Sequence, residues 1–373
     1  MKDIDSFISA SLTKRNSSDS LRLLKTESSL IDFCSNDYLS FSRSSELKKL
    51  YELELQNYPD YKLGSTGSRL LAGNNQFTED LEKDIADFHE AEASLLFNSG
   101  YDANAGLLSC LPQRGDTIIC DEYIHASIID GARLSHASRF IFRHNNVESL
   151  EEKLKLAKGL IYIVVESVYS MDGDEAPLKD ICRLANKFGA AVIVDEAHAT
   201  GIFGNRGNGI VHELGLCREV FARIVTFGKG LGTHGAAILG SAELRTFLIN
   251  FCRSFIYTTA ASFQSHLAVK VSYKYLKTTS QQADLFERIR CFRSNILKHD
   301  SLVPSRSAIQ VVLIRGNTRT REVAAHIQKA GFDVRAILSP TVPEGSERLR
   351  ICIHNHNSFI EIKDLCLTIN QLL

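Results

Sequence analysis

A lone lysine among glycines, Thr226-Phe227-Gly228-Lys229-Gly230-Leu231-Gly232, is the residue of this chain best placed to act as a nucleophile. The β-branched, apolar run Ile224-Val225-Thr226-Phe227 reads as a strand that delivers Lys229 into a bare loop. A free lysine amine has a pKa of ~10.4, so it attacks a carbonyl only where burial or a cationic neighbour depresses that value. Glycines on both sides let backbone approach a flat ligand while the lysine reaches over it, which suits a Schiff-base lysine. The plain alternative is a surface lysine in a turn.

Asp195 ends the most apolar run of the chain and opens Asp195-Glu196-Ala197-His198-Ala199-Thr200-Gly201. A carboxylate buried by that position needs a partner, and a protonated pyridine nitrogen is one. A ring held cationic in this way is an electron sink, and His198 is placed to hydrogen-bond a hydroxyl on it. A metal site competes, since Asp195, Glu196 and His198 are ligand types, but no second His/carboxylate pair has matching spacing. Asn98-Ser99-Gly100-Tyr101 follows a strand pattern and opens an apolar helix, so its bare N–H groups make a seat for a phosphate. His125, just past another strand, either caps a helix or stacks flat on an aromatic ring. The segment 166–174 carries turn residues and reads either as a functional loop or as a capping element. Phosphate seat, stacking histidine, pyridinium aspartate and imine lysine are the four grips that pyridoxal 5'-phosphate requires.

These segments converge only at the carboxyl ends of parallel strands, where ligands of open α/β sheets sit. From about 78 to 275 helical and strand patterns alternate, with strand candidates at 94–97, 117–120, 140–142, 160–165, 191–194, 224–227 and 236–239. The central runs are almost wholly apolar, and helices at 150–157 and 178–188 argue for βαβ units. The expected fold class is α/β, with a large, mostly parallel sheet domain over 46–262. A helical arm at 1–45, with Phe7, Ile8, Leu12, Leu21 and Leu24 on one face, precedes it. A smaller α+β domain at 263–373 follows.

Composition narrows the class. A net charge of −1 over 373 residues gives no field for polyanions, so no nucleic-acid partner is expected. Nine cysteines, odd in number and without a C-x-x-C pair, argue against zinc and a disulfide framework and fit a reducing cytosol. No stretch approaches the ~18 apolar residues that span a bilayer, so no membrane partner and a cytoplasmic location are expected. His354 and His356 read as a polar turn in preference to a metal site. Lys14, Arg15, Arg22 and Lys25 read as a solvated helix face in preference to a seat for phosphates.

With these motifs the chain resembles the fold-type I pyridoxal-phosphate enzymes, and among them the α-oxoamine synthases. That group condenses an amino acid with an acyl thioester and releases carbon dioxide. The likeness also rests on Ser35-Asn36-Asp37-Tyr38-Leu39, Gly64-Ser65-Thr66-Gly67-Ser68-Arg69, Ser170-Met171-Asp172-Gly173-Asp174 and Ile256-Tyr257-Thr258-Thr259, and it spans about 5–370. Ser307-Ala308-Ile309-Gln310 and Pro340-Thr341-Val342-Pro343-Glu344-Gly345 resemble the biotin-pathway branch. The resemblance implies a pyridoxal-phosphate-dependent acyltransferase that joins L-alanine to a pimeloyl group on coenzyme A or an acyl carrier protein. Siblings that use glycine or serine share every cofactor grip.

Carried over residue by residue, the resemblance assigns the imine and proton transfer to Lys229, ring stacking to His125, the ring nitrogen to Asp195 and the phenolic oxygen to His198. Ser99, Gly100, Tyr101 and Thr226 are implied to hold the phosphate and Ser170 to border the cofactor. Thr259 is implied to reach the phosphate of a neighbouring subunit, hence a homodimer with shared sites. Asn36 and Arg350 fall at substrate positions, and Arg22 aligns near the distal carboxylate of the acyl group. Three departures stand out: Leu338-Ser339 where the family has Arg-Pro, Ala261-Ser262 in place of a proline pair, and the variant glycine-rich segment.

Overall fold

The computed structural model describes residues 3–17, 21, 22, 24, 26 and 29–373. Its strands are β1 (Ile31–Asp32), β2 (Ala93–Phe97), β3 (Thr117–Asp121), β4 (Ser138–Phe142), β5 (Ile161–Glu166) and β6 (Ala191–Asp195), then β7 (Ala222–Thr226), β8 (Ala236–Gly240), β9 (Ile309–Leu313), β10 (Phe332–Asp333), β11 (Arg335–Ile337) and β12 (Arg348–Cys352). A seven-stranded sheet runs β2-β8-β7-β6-β5-β3-β4, and only β8 opposes its neighbours.

The apolar runs are explained by what covers them. Ile163, Val165, Val192 and Val194 join one buried cluster, while the alternating Tyr162, Val164 and Ile193 join a second on the opposite face. Both faces are therefore covered, and each strand can be apolar throughout. The helix Leu178–Phe188 returns β5 to β6 and stops at Gly189, whose φ of 65° suits a residue without Cβ.

A second, three-stranded antiparallel sheet has the order β11-β12-β9, and β1 pairs in parallel with β10. Residues 31–42 are stitched to this part of the chain. Cys352 N donates to the Phe33 carbonyl at 2.8 Å, and Asn357 Nδ2 donates to the Asp32 carbonyl at 2.9 Å. That stitching brings Asn36 and Tyr38 beside β12 and Arg350. The helix Ile4–Ser17 buries no residue, and Phe7, Ile8, Leu12, Leu21 and Leu24 are exposed. Lys25 lies outside the described residues. Among the described residues no helix is long and apolar enough to cross a membrane.

Candidate active site

The carboxyl ends of the parallel strands form one wall. Ser99, Gly100 and Tyr101 follow β2, His125 follows β3, Glu166 ends β5, Asp195 ends β6, and Lys229 comes three residues after β7. With Asn36, Asn104, Ser127, Thr226 and His234 they line a cavity of about 280 Å³. That is close to the small end of ligand sites, ~300 Å³.

Glycines shape this wall in two ways. A Cβ on Gly100 would lie 2.7 Å from Thr226 Cγ2, so only glycine lets the helix Gly100–Cys110 begin there. Gly228 lines the cavity. Gly230, however, backs onto the Thr200 carbonyl, 2.6 Å from where a Cβ would sit, and Gly232 turns with φ 61° against Ser42. Part of the glycine pattern around Lys229 therefore serves packing of its loop and not approach to a ligand.

Asp195 is 5% exposed and held on both oxygens. Ala197 N donates to Oδ1 at 2.8 Å and Asn104 Nδ2 donates to Oδ2 at 2.7 Å. His125 caps the helix Ala126–Leu134: its Nδ1 accepts from Ser127 N at 3.2 Å and meets Ser127 Oγ at 2.8 Å. Its neutral form thus carries the proton on Nε2, and its ring is exposed at the cavity wall. Capping and lining are compatible roles for it.

Lys229 Nζ lies 2.9 Å from His198 Nε2, and His198 Nδ1 lies 2.7 Å from Tyr38 Oη. Burial pulls the Lys229 ammonium below its ordinary range, against the Asp195 and Glu166 carboxyls. Burial, then Lys229, pushes His198 well below its usual value. Burial, then Asp195, lifts Glu166 to about 8. Amine, imidazole and carboxyl are all drawn toward their neutral forms, as in a site built for proton transfer.

Arg350 stands at the border. Its Nε donates to the carbonyl of the buried Ser170 at 2.7 Å and its Nη2 to Asn36 Oδ1 at 3.1 Å. Arg22 is exposed and not among the lining residues, and Thr259 sits on an exposed loop outside its own chain's cavity. Asp195, Glu196 and His198 do not converge as ligands. Glu196 points away, where it accepts from Val211 N at 3.0 Å and faces Arg223 at 3.9 Å. Among the described residues the ligand types that cluster are Asp32, His354 and His356. There Asp32 is occupied by Arg43 at 3.0 Å and by the N–H groups of Cys34 and Ser35.

The family model for aminotransferase class I and II matches residues 28–362. The chain belongs to this family. It is 43% identical to an 8-amino-7-oxononanoate synthase of Emericella nidulans, over 92% of this chain and 89% of that protein. The 8-amino-7-oxononanoate synthase structure from Francisella tularensis superposes with a TM-score of 0.77 at 27% identity, covering 92% of this chain and 98% of that one. A serine palmitoyltransferase from S. paucimobilis with bound PLP-myriocin aldimine superposes with a TM-score of 0.89 at 26% identity, covering 100% and 98%. The fold is that of the fold-type I pyridoxal-phosphate transferases, and the chain is a pyridoxal-phosphate-dependent enzyme of the acyltransferase type.

The residues present fit that cofactor. Ser99 takes the N–H groups of Asp102, through its hydroxyl at 3.1 Å, and Ala103, through its carbonyl at 3.1 Å. That leaves the first-turn donors of Gly100 and Tyr101 for a phosphate. Asn104, Ser127, Glu166 and Tyr38 belong to the site without an individual role read from the sequence, although Glu166 opens the segment 166–174 and Tyr38 lies in the Ser35–Leu39 motif. Glu166 ends an apolar strand just as Asp195 does, so the same signal would have found it. Asn104 has no comparable local mark, and the motif around Tyr38 does not say what its hydroxyl meets.

Proposed function

We propose that this chain condenses L-alanine with a pimeloyl thioester, on coenzyme A or an acyl carrier protein, releasing carbon dioxide, the free thiol carrier and 8-amino-7-oxononanoate. The observation that carries this reading is the convergence of Lys229, Asp195, His125 and the Gly100–Thr226 cradle on one cavity with Arg350 at its edge. Pyridoxal phosphate, when bound, supplies an electron sink for negative charge at the α-carbon of the amino acid. Asp195, fixed by Asn104, holds the proton on the ring nitrogen. His125 covers the ring, His198 meets its hydroxyl, and Ser99, Gly100, Tyr101 and Thr226 bind the phosphate. Ser170 borders the cofactor.

Lys229 anchors the cofactor and then moves the proton at the α-carbon, a task its depressed basicity suits near neutral pH. Arg350 and Asn36 bind the amino-acid carboxylate, since a guanidinium fork takes a carboxylate bidentately. Arg22 meets the distal carboxylate of the acyl group. Thr259 reaches the phosphate of a second copy, which makes the enzyme a homodimer with shared sites. The chain divides into an arm (1–45), a cofactor-holding unit (46–262) and a C-terminal unit (263–373).

A serine-using activity is the second reading, favoured by the higher TM-score to the serine palmitoyltransferase. The test is an absorbance titration of the cofactor-loaded protein with L-alanine, glycine and L-serine, then pimeloyl thioester, with products identified by mass. A selective response to alanine and formation of 8-amino-7-oxononanoate are expected. A response to serine or glycine alone overturns the substrate assignment.

A further inference from the structure

We propose that Tyr38 is a positioning residue that fixes which nitrogen of His198 carries the proton, by passing on a hydrogen-bond direction set at Arg350. The direction follows from what each group can donate. Arg350 has donors only, and its Nη2 lies 3.1 Å from Asn36 Oδ1, so that atom is an acceptor. Tyr38 Oη lies 2.9 Å from the same Oδ1 and gives its single proton there. The phenol oxygen then has only lone pairs for His198 Nδ1 at 2.7 Å, and Nδ1 must be the donor. A neutral imidazole protonated on Nδ1 presents a lone pair at Nε2. Lys229 Nζ sits 2.9 Å from that lone pair.

The arrangement leaves little freedom. Tyr38 is fully buried and His198 is 4% exposed, so exchange with bulk water does not blur the direction. Besides Tyr38, the titratable or charged groups that face His198 are Lys229, Arg350 and His125. All three disfavour a cationic imidazole, and burial does so more strongly, so His198 is neutral and must choose a tautomer. His125 makes the opposite choice across the cavity, where Ser127 N donates to its Nδ1. The site thus presents an imidazole acceptor toward Lys229 and, through the reading of the previous subsection on which this inference rests, toward the ring hydroxyl. Carboxylate site and proton-transfer site are two ends of one chain: Arg350, Asn36, Tyr38, His198, Lys229.

The experiment reads the tautomer without the cofactor and then with it. Nitrogen-15 NMR of histidine-labelled, cofactor-free protein, with the His198 signals assigned by their loss in His198→Asn, is expected to show Nδ1 protonated and Nε2 bare. Tyr38→Phe removes the acceptor for Nδ1–H and should move the proton to Nε2 or mix the two forms. Asn36→Leu frees the Tyr38 proton to turn toward His198 and should populate the same second form, which keeps the test alive if Tyr38→Phe does not fold. In the loaded protein, the pH midpoint of the cofactor's absorbance should move by about one unit or more in Tyr38→Phe. Borohydride reduction should still fix the cofactor on Lys229 there. Wild-type His198 protonated on Nε2, or variants with the wild-type NMR signature and midpoint, overturns the proposal. A wild-type protein with the expected tautomer that gains no visible band on adding pyridoxal phosphate overturns the cofactor reading instead.

Discussion

Glu82 and Glu166 are both 2% exposed, yet they live in opposite surroundings. Every direction open to Glu82 is filled by protein. Oε1 accepts from Arg69 Nη1 at 2.7 Å and Leu96 N at 2.9 Å, and Oε2 accepts from Arg245 Nη2 at 2.7 Å. Glu166, on the cavity wall, leaves Oε1 without a partner among the described groups, and burial with Asp195 beside it pushes its carboxyl up to about 8. A buried charge whose partners are all protein organises the fold, because removing one partner strands the other. A buried acid with an oxygen to spare, against a cavity, is kept for something that arrives later.

The contrast predicts a double dissociation, and its largest arm is Lys229→Ala. Loss of proton transfer alone should lower turnover on the order of 10²–10⁴-fold. Borohydride should then fix no cofactor, while urea unfolding changes by less than about 1 kcal/mol. Retained turnover would remove Lys229 from the chemistry. Arg69→Ala is the opposite arm. Stranding Glu82 and Glu79, which Arg69 also meets at 3.2 Å, should cost about 3–5 kcal/mol in urea unfolding. The protein that remains folded should bind cofactor normally, and an unchanged stability would mean that Arg245 alone satisfies the pair.

How much of this could be read beforehand depends on how local the signal is. Apolar runs marked β5 and β6 at 160–165 and 191–194, and the ladder carries each one residue further because Glu166 and Asp195 are paired across it. β7 starts at Ala222, two residues earlier than its apolar run, because Arg223 looks like a surface residue. It is in fact 3% exposed, with its guanidinium on the His89 carbonyl. The antiparallel sense of β8 left no mark in composition. Lys229, Asp195, His198, His125 and the Gly100 turn are legible because each sits in a contiguous motif. The roles of Tyr38 and Asn104 are not, even though Tyr38 lies in a motif, since their partners lie 160 and 91 residues away and meet them only in the folded chain. Arg22 and Thr259 came from resemblance alone, and neither lines its own chain's cavity.

His144 extends the saturated class to a loop near the site. Its ring lies between Asp121 Oδ1 at 2.9 Å and Asp174 Oδ2 at 2.8 Å, and stacks on Tyr123 at 4.4 Å. Burial pulls its pKa down, but the two carboxylates outweigh that and raise it to about 10. A folded value above the ordinary 6.5 means stability that is full below pH 6.5 and lost as pH rises through about 10. His144→Gln should therefore cost about 2 kcal/mol at pH 6 and almost nothing near pH 10. Urea midpoints across that range check it, and a cost that does not vary with pH would show that the imidazolium charge is not what holds the segment 166–174.

Glu166→Gln is the sharpest test of the contrast with Glu82. The folded carboxyl is raised from 4.5 to about 8, so its share of stability is present below pH 4.5 and lost as pH rises through 8. Above pH 8 the wild type keeps an underpaired buried anion, whereas an amide of the same shape carries no charge to desolvate. In cofactor-free protein, the variant-minus-wild-type difference in unfolding free energy should thus rise steadily toward the variant between pH 5 and 8. Using the difference cancels the opposite slope of histidines such as His266, which burial holds near 4. At Glu82 the same amide substitution should be destabilising, because it puts an NH2 group against arginine donors on one side. If Glu166→Gln destabilised the protein as Glu82→Gln does, with no change of the difference with pH, the two glutamates would belong to one class and the spare oxygen of Glu166 would not be kept for a ligand.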